Sequence, residues 1–306
     1  MNNIKSVFSV KDLENLSGVK AHTIRIWEKR YNLFSPIRDD NNIRSYNTDD
    51  LKKILNISYL NNFGYKISKI AKLTESEMVA LTQQIYSEKT QASFAISNLK
   101  FAMFNFDAKL FHSTYDELEK SKSFEEIFYD VFIPLLDEIG FLWQTETLKP
   151  VHEHFISSLI RQKLFSEIEK AQKNVNFSNE EVYVLYLPMH EIHELGIMFV
   201  NYLLLRKNKH VIYLGESVPM EDLQEVIKYY NKITFLSYFT VQPEIDNLES
   251  YLFDFKNSIL KREQDRFYIL GKQVSDYHSQ IPGIYTFSGI QAMLDRKSTR
   301  LNSSHD

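Results

Sequence analysis

Over the first 75 residues, apolar positions recur at three- and four-residue intervals in short runs cut by turn residues. Ser9 can cap the run Val10–Leu16, with Asp12 at the third helical position, and Gly18 ends it. Lys20–Tyr31 (KAHTIRIWEKRY) follows at once, so the pattern predicts two short helices across a tight turn. Asn32–Tyr46 carries Pro36, Arg38, Asp39, Asp40, Asn41 and Asn42 and reads as a hairpin loop. Thr48 is the predicted cap of a helix over Asp49–Phe63, Gly64 breaks it, and Ser68 begins another short helix.

Residues 77–174 have almost no Gly or Pro and keep the helical period. Leu99, Met103, Phe106, Leu110 and Tyr115 form one run, Ile127, Val131, Leu135 and Ile139 the next, and Phe155, Leu159, Ile160 and Leu164 a third. A four-helix antiparallel bundle accounts for them most economically. From Glu181 the period changes. VYVLYLPM, HVIYLGESV, ITFLSYF, RFYILGK and GIYTF are short, nearly continuous apolar runs. The intervals Glu194–Lys207, Met220–Asn231 and Glu244–Leu260 are long enough for helices, which predicts a Rossmann-like parallel sheet covered on both faces.

The expected fold is therefore multi-domain, α followed by α/β. A winged helix-turn-helix occupies 1–75, a bundle 77–174 and a Rossmann-like domain 180–294. The string DRKSTRLNSSHD at 295–306 drops all apolar periodicity, resembles one frame of a sequencing adapter, and is read as a non-native tail.

Composition narrows the chemistry. The 306 residues contain no Cys, which excludes disulfides, a thiolate nucleophile and cysteine-held zinc or iron–sulfur clusters. No apolar run reaches membrane-spanning length, and the N-terminus lacks the apolar core of a signal peptide, so a cytoplasmic protein without a membrane partner is expected. The net charge of −4 is unevenly spread. Residues 1–74 hold 13 Lys+Arg against 7 Asp+Glu, a balance of +6, which leaves −10 on the rest. A basic module on an acidic body suggests a polyanion for the front of the chain.

The front segment carries Thr23–Ile24–Arg25, Trp27–Glu28 and Tyr31, then Pro36 and Arg38, then Arg44–Tyr46 leading into Asp49–Asp50–Leu51. In these positions it resembles the winged-helix domain of MerR-family transcription regulators. The helical spacing gives a consistent picture: His22, Thr23, Arg25 and Lys29 share an outer face fit for the major groove, while Ile24 and Trp27 face inward. Arg38 and Arg44 flank the wing loop and suit phosphates. Trp27 and Tyr31 are expected in the core. The resemblance implies a homodimer or higher homo-oligomer on double-stranded promoter DNA, acting through RNA polymerase, and no enzymatic activity.

The rear of the chain carries Glu191–Ile192–His193–Glu194–Leu195–Gly196 directly after the first β-run, then VIYLGESVPMEDL, and, upstream, Trp143 followed ten positions later by Glu153–His154. These elements resemble the cobalamin-binding region of light- and cobalamin-responsive MerR regulators. The resemblance implies adenosylcobalamin or a related corrinoid, with His193 on its cobalt, Glu191 behind His193, and Gly196 giving the corrin room. Trp143, Glu153 and His154 would cover the upper face, with Ser237 and Gly271 at the nucleotide tail.

Some positions depart from the family pattern. Gly271–Lys272 stands where the family has a Gly-Gly pair, and Ser237–Tyr238–Phe239–Thr240 is bulkier than the family's serine element. Met189–His190 replaces a glycine, and Gln144 stands where photoreceptor members carry a histidine, which argues against light capture. Two alternatives remain open at this point. One is a regulator whose cobalamin-like domain has lost its ligand and serves oligomerisation or partner binding. The other is a corrinoid enzyme of the methyltransferase or mutase type, against which the front 70 residues weigh.

Overall fold

A computed structural model describes residues 7–39, 42–62, 64–74, 76–78, 81, 88–144, 148–173, 175 and 181–295. The expected tail, apart from Asp295, lies outside them. The chain forms two compact units, residues 1–160 and 161–306.

The first unit begins with helices α1 (Val10–Ser17) and α2 (Ala21–Tyr31). Ser9 and Asp12 close a reciprocal capping box on α1, and Gly18 ends it in the left-handed conformation at φ 73°. Strands β1 (Ile37–Arg38) and β2 (Arg44–Ser45) pair antiparallel as the wing, and Phe8 bridges Tyr46 beside them. Helix α3 (Thr48–Asn62) starts one residue earlier than the sequence pattern suggests. Asn47, not Thr48, is its cap: Asn47 Oδ1 accepts from the Asp50 N–H at 2.9 Å, and Asp50 Oδ2 from the Asn47 N–H at 3.1 Å. Helix α4 (Ile67–Ile70) is a single turn.

The bundle region contributes α5 (Glu88–Asn105), α6 (Ala108–Glu119), α7 (Phe124–Ile127), α8 (Ile133–Gln144) and α9 (Pro150–Gln172). The apolar run Leu99–Tyr115 is two helices, because Phe106 adopts φ 54° and Asp107 caps a fresh start by accepting from the Leu110 N–H. A π-helical turn at Phe128–Phe132 joins α7 to α8 and sets both phenyl rings into the core at 5.8 Å, edge to face. The bundle grips the helix-turn-helix region directly. Lys100, nearly buried on α5, donates to the Leu16 carbonyl at 3.2 Å and pairs with Glu138 at 2.6 Å, while Phe104 meets Phe8 edge-on at 5.8 Å.

In the second unit, β3 (Val182–Pro188), β4 (His210–Val218), β5 (Ile233–Tyr238), β6 (Arg266–Leu270) and β7 (Ile284–Thr286) form a parallel sheet in the order β4-β3-β5-β6-β7. All seven residues of β3 are buried, as expected of a central strand covered on both faces. Helix α10 (Leu195–Arg206) is buried from Ile197 to Leu205. Helix α12 (Leu248–Ser258) packs Phe255 over Phe267 with ring centroids 3.9 Å apart. The helix expected at Met220–Asn231 is shorter: a 3₁₀ turn, Met220–Asp222, runs into α11 (Leu223–Ile227). Leu223 is the one fully buried side chain of that turn and α11, and Met220, Val226 and Ile227 pack part-buried against the same core. Because β4 and β5 leave β3 on opposite sides, the strand order reverses between β3 and β5, the point where open sheets of this kind place a ligand crevice outside the carboxyl ends.

Candidate functional site

In the first unit, α2 and the wing enclose an open cleft of about 730 Å³. His22, Arg25 and Lys29 line it from the helix, and Arg38 and Arg44 from the wing. Thr23 is half-buried on the same helix, whereas Ile24 and Trp27 point into the core as the spacing predicts. Tyr31 is only half-buried, with the Arg30 guanidinium 5.6 Å from its ring.

Glu28 organises the cleft. Its carboxylate accepts from Arg44 Nε through both oxygens at 3.1 Å, from Arg38 at 3.2 Å and from the Tyr46 hydroxyl at 3.0 Å. Burial, together with this carboxylate, pushes the Tyr46 phenol well above its ordinary range, so it stays a donor. Sequence reading named the two arginines but not the glutamate that holds them. Glu28's partners lie 10, 16 and 18 residues away, beyond any helical pattern.

In the second unit, the chain leaves β3 through a turn in which His190 takes φ 67° and the Glu191 N–H returns to the Pro188 carbonyl at 3.0 Å. Glu191 is wholly buried. Its Oε1 accepts from the backbone N–H groups of Ile192 and His193, each at 3.0 Å, and lies 2.6 Å from His193 Nδ1. Its Oε2 accepts from the N–H groups of Thr240, Val241 and Gln242 at 2.7 to 3.0 Å. Burial alone would raise its pKa, but the hydrogen bond from His193 and those from the 240–242 loop outweigh burial and hold the carboxyl at about 2. An ionised carboxylate only accepts, so Nδ1 carries the proton of this hydrogen bond, and in the neutral form of the ring the lone pair is on Nε2. The His193 side chain is 44% exposed at the sheet's carboxyl edge.

This donor set fits one axial position of a metal whose other positions are already filled, as in a macrocycle. Among the described residues no group of three His, Asp or Glu side chains could cage a bare ion.

The residues implied for the nucleotide tail have other partners. Ser237 is buried and donates to the Tyr186 carbonyl at 2.8 Å. Gly271, at φ 108°, passes so close to Phe239 that an added Cβ would sit 2.2 Å from its carbonyl oxygen. Gly196 faces the Tyr238 ring, where a Cβ would meet Cε2 and Cζ at 2.9 Å. Lys272 is solvent-exposed and Phe239 lies in the sheet core, so of the three bulky departures Tyr238 is the one against the implied site. Glu153 is half-buried and His154 exposed on α9, in the first unit. Just before them, His152 turns inward, its Nδ1 3.2 Å from the Met103 carbonyl and its ring stacked 4.7 Å from Phe106. Trp143 falls on α8, and its side chain lies outside the described residues.

Residues 8–77 match the MerR HTH family regulatory protein family, and residues 95–165 match the B12 binding domain family. The chain joins a MerR-type helix-turn-helix domain to a B12 binding domain. Across this MerR–B12 arrangement the chain is 27% identical to the HTH-type transcriptional repressor CarH of Myxococcus xanthus over 218 residues, 69% of this chain and 72% of that protein. It is 24% identical to CarA of the same organism over 226 residues, covering 70% of each chain. The HTH-type transcriptional regulator MlrA of Escherichia coli matches at 28% over 74 residues, 24% of this chain and 30% of that protein. In fold, the chain is similar to the monomethylamine corrinoid protein of Methanosarcina barkeri. The TM-score is 0.55 at 17% identity, covering 66% of this chain and 96% of that one.

Proposed function

We propose that this chain is a transcription regulator that binds promoter DNA through its front domain and is switched by a corrinoid held by its rear domains. The cleft between α2 and the wing carries the first half of the reading. His22, Thr23, Arg25 and Lys29 meet base edges in the major groove, and Arg38 and Arg44, aimed by Glu28, meet phosphates on the flanking backbone. One such module buries too little surface for tight specific binding, so the regulator acts as a homodimer or higher homo-oligomer in the cytoplasm, and its effect passes to RNA polymerase at the promoter. It is not an enzyme; the curated relatives it resembles are named repressors and regulators.

The observation that carries the second half is the Glu191–His193 pair at the switch point of the sheet. His193 would hold the corrinoid's cobalt through Nε2, and Glu191 would fix the tautomer of its ring. A bound corrinoid would supply a cobalt centre able to exchange ligands, and its binding through His193 would shift the protein between DNA-binding states.

The full-length chain mixed with adenosylcobalamin and scanned in the visible range tests the corrinoid half, and a gel-shift assay on its own promoter with and without the ligand tests the switch. A shifted spectrum lost in His193→Ala, together with ligand-dependent DNA retention, supports the proposal. DNA binding with neither a spectral nor a melting shift, with adenosylcobalamin or with a corrinoid that lacks the nucleotide tail, would leave a regulator without a corrinoid.

A further inference from the structure

We infer that Tyr238 sets which corrinoids this protein accepts, closing the sheet's switch-point crevice to a nucleotide tail and favouring corrinoids that lack one. The inference rests on the corrinoid reading above and goes further by naming the ligand class.

If His193 holds the cobalt from below, the ligand's own lower base is displaced on the protein side of the ring, and the arm carrying it needs a path away from Nε2. In an open parallel sheet that path is the crevice between the two strands where the order reverses, here β3 and β5. In this chain the crevice is filled with the protein's own atoms. Tyr238, the last residue of β5, lays its ring against Gly196 at the start of α10, so closely that a methyl group on Gly196 would lie 2.9 Å from two ring carbons. One step deeper, the Ser237 hydroxyl is committed to the Tyr186 carbonyl within the sheet. Beside it, Gly271 is packed against the Phe239 backbone, its absent Cβ leaving only the space that backbone already occupies. Both glycines are therefore accounted for by internal packing and neither frames an empty cradle. A phenol ring is similar in width to the base of a nucleotide, and a well-packed interior cannot hold both.

His193 is unaffected by this obstruction. Its ring stands at the edge, 44% exposed, with Nδ1 fixed by Glu191. The geometry thus separates two requirements that a complete cobalamin imposes together: a ligand for cobalt, which is present, and a groove for the tail, which Tyr238 occupies. Selectivity built from an obstruction of this kind rejects the larger ligand without adding a contact to the smaller one.

The test is titration of the full-length chain with aquocobalamin and, separately, with diaquocobinamide, the same corrin without the nucleotide, read by visible spectrum and equilibrium dialysis. The wild-type chain should bind cobinamide at least about tenfold more tightly than cobalamin, and Tyr238→Ser should bring the two within about threefold by strengthening cobalamin alone. Equal affinities in the wild type, or a ratio that Tyr238→Ser leaves unchanged, overturn the inference. If Tyr238→Ser gains both ligands equally from a wild type that binds neither, the ring blocks the cobalt site rather than the tail groove, and the inference is again overturned. If neither chain binds either corrinoid, the corrinoid reading itself fails, and the inference with it. Thermal melting supplies a readout free of ligand. Gly196→Ala should lower the melting temperature of the wild type and cost clearly less in the Tyr238→Ser background, whereas an equal cost in both shows that the ring is not the occupant.

Discussion

Glu28 and Arg44 meet through both carboxylate oxygens at 3.1 Å, tying the outer helix of the reader to the second strand of its wing. Because the same carboxylate also receives Arg38 and Tyr46, wing and helix move as one body. Glu28→Gln keeps the size of the side chain but removes the charge both arginines face. It should weaken promoter binding about tenfold, a loss of roughly 1.4 kcal/mol, while circular dichroism at room temperature stays unchanged. Full promoter affinity in this variant would show that the wing needs no such anchor.

Arg25 and Arg44 should behave differently on substitution. Arg25 is exposed on α2 and lines the cleft, whereas Arg44 is half-buried against Glu28. Arg25→Ala should cost about 1–3 kcal/mol on the native site and relax base preference at one position. Arg44→Ala should weaken all sequences alike and reduce the salt slope by about one. A binding-site selection and a salt titration on both variants measure the difference.

Lys100 joins the bundle to the reader. Its ammonium group reaches the Leu16 carbonyl at the end of α1 and the Glu138 carboxylate on α8. Lys100→Ala leaves that helix end without this donor and should destabilise the first unit by about 1–3 kcal/mol. Calorimetry of the full chain should show the transition containing the reader moving down in temperature. A variant that melts with the wild type would mean that apolar contacts such as Phe8–Phe104 and Tyr59–Phe94 hold the two together.

Glu191 anchors the loop that presents His193. Five backbone N–H groups converge on its buried carboxylate, together with the His193 ring. An amide in its place offers one acceptor oxygen and turns two hydrogens toward donors. Glu191→Gln should therefore cost about 3 kcal/mol or more in stability and release the 240–242 loop, whose amides should lose hydrogen-exchange protection. Protection equal to wild type would rule out the anchoring role.

What the sequence alone determined was whatever depends on neighbours a few residues apart. Ser9 and Asp12 mark the start of α1 because a capping box spans only three positions, and Ile24 and Trp27 show which side of α2 is inward because one helical turn relates them. The central strands β3, β5 and β6 were legible because parallel strands buried on both faces must be apolar almost throughout. The Glu191–His193 pair was equally accessible, since its members are two positions apart.

Only the tertiary structure decided which distant groups meet. Glu28 finds Arg44 across 16 residues, the 240–242 loop closes on Glu191 across about 50, and Tyr238 settles against Gly196 from another strand. Such contacts leave no periodic trace, because their geometry is set by how helices and strands pack rather than by their local preference. The same limit applies to Gly196 and Gly271. A glycine in a motif and a glycine making room for an adjacent ring or backbone read identically until packing shows what occupies the space where a side chain would be.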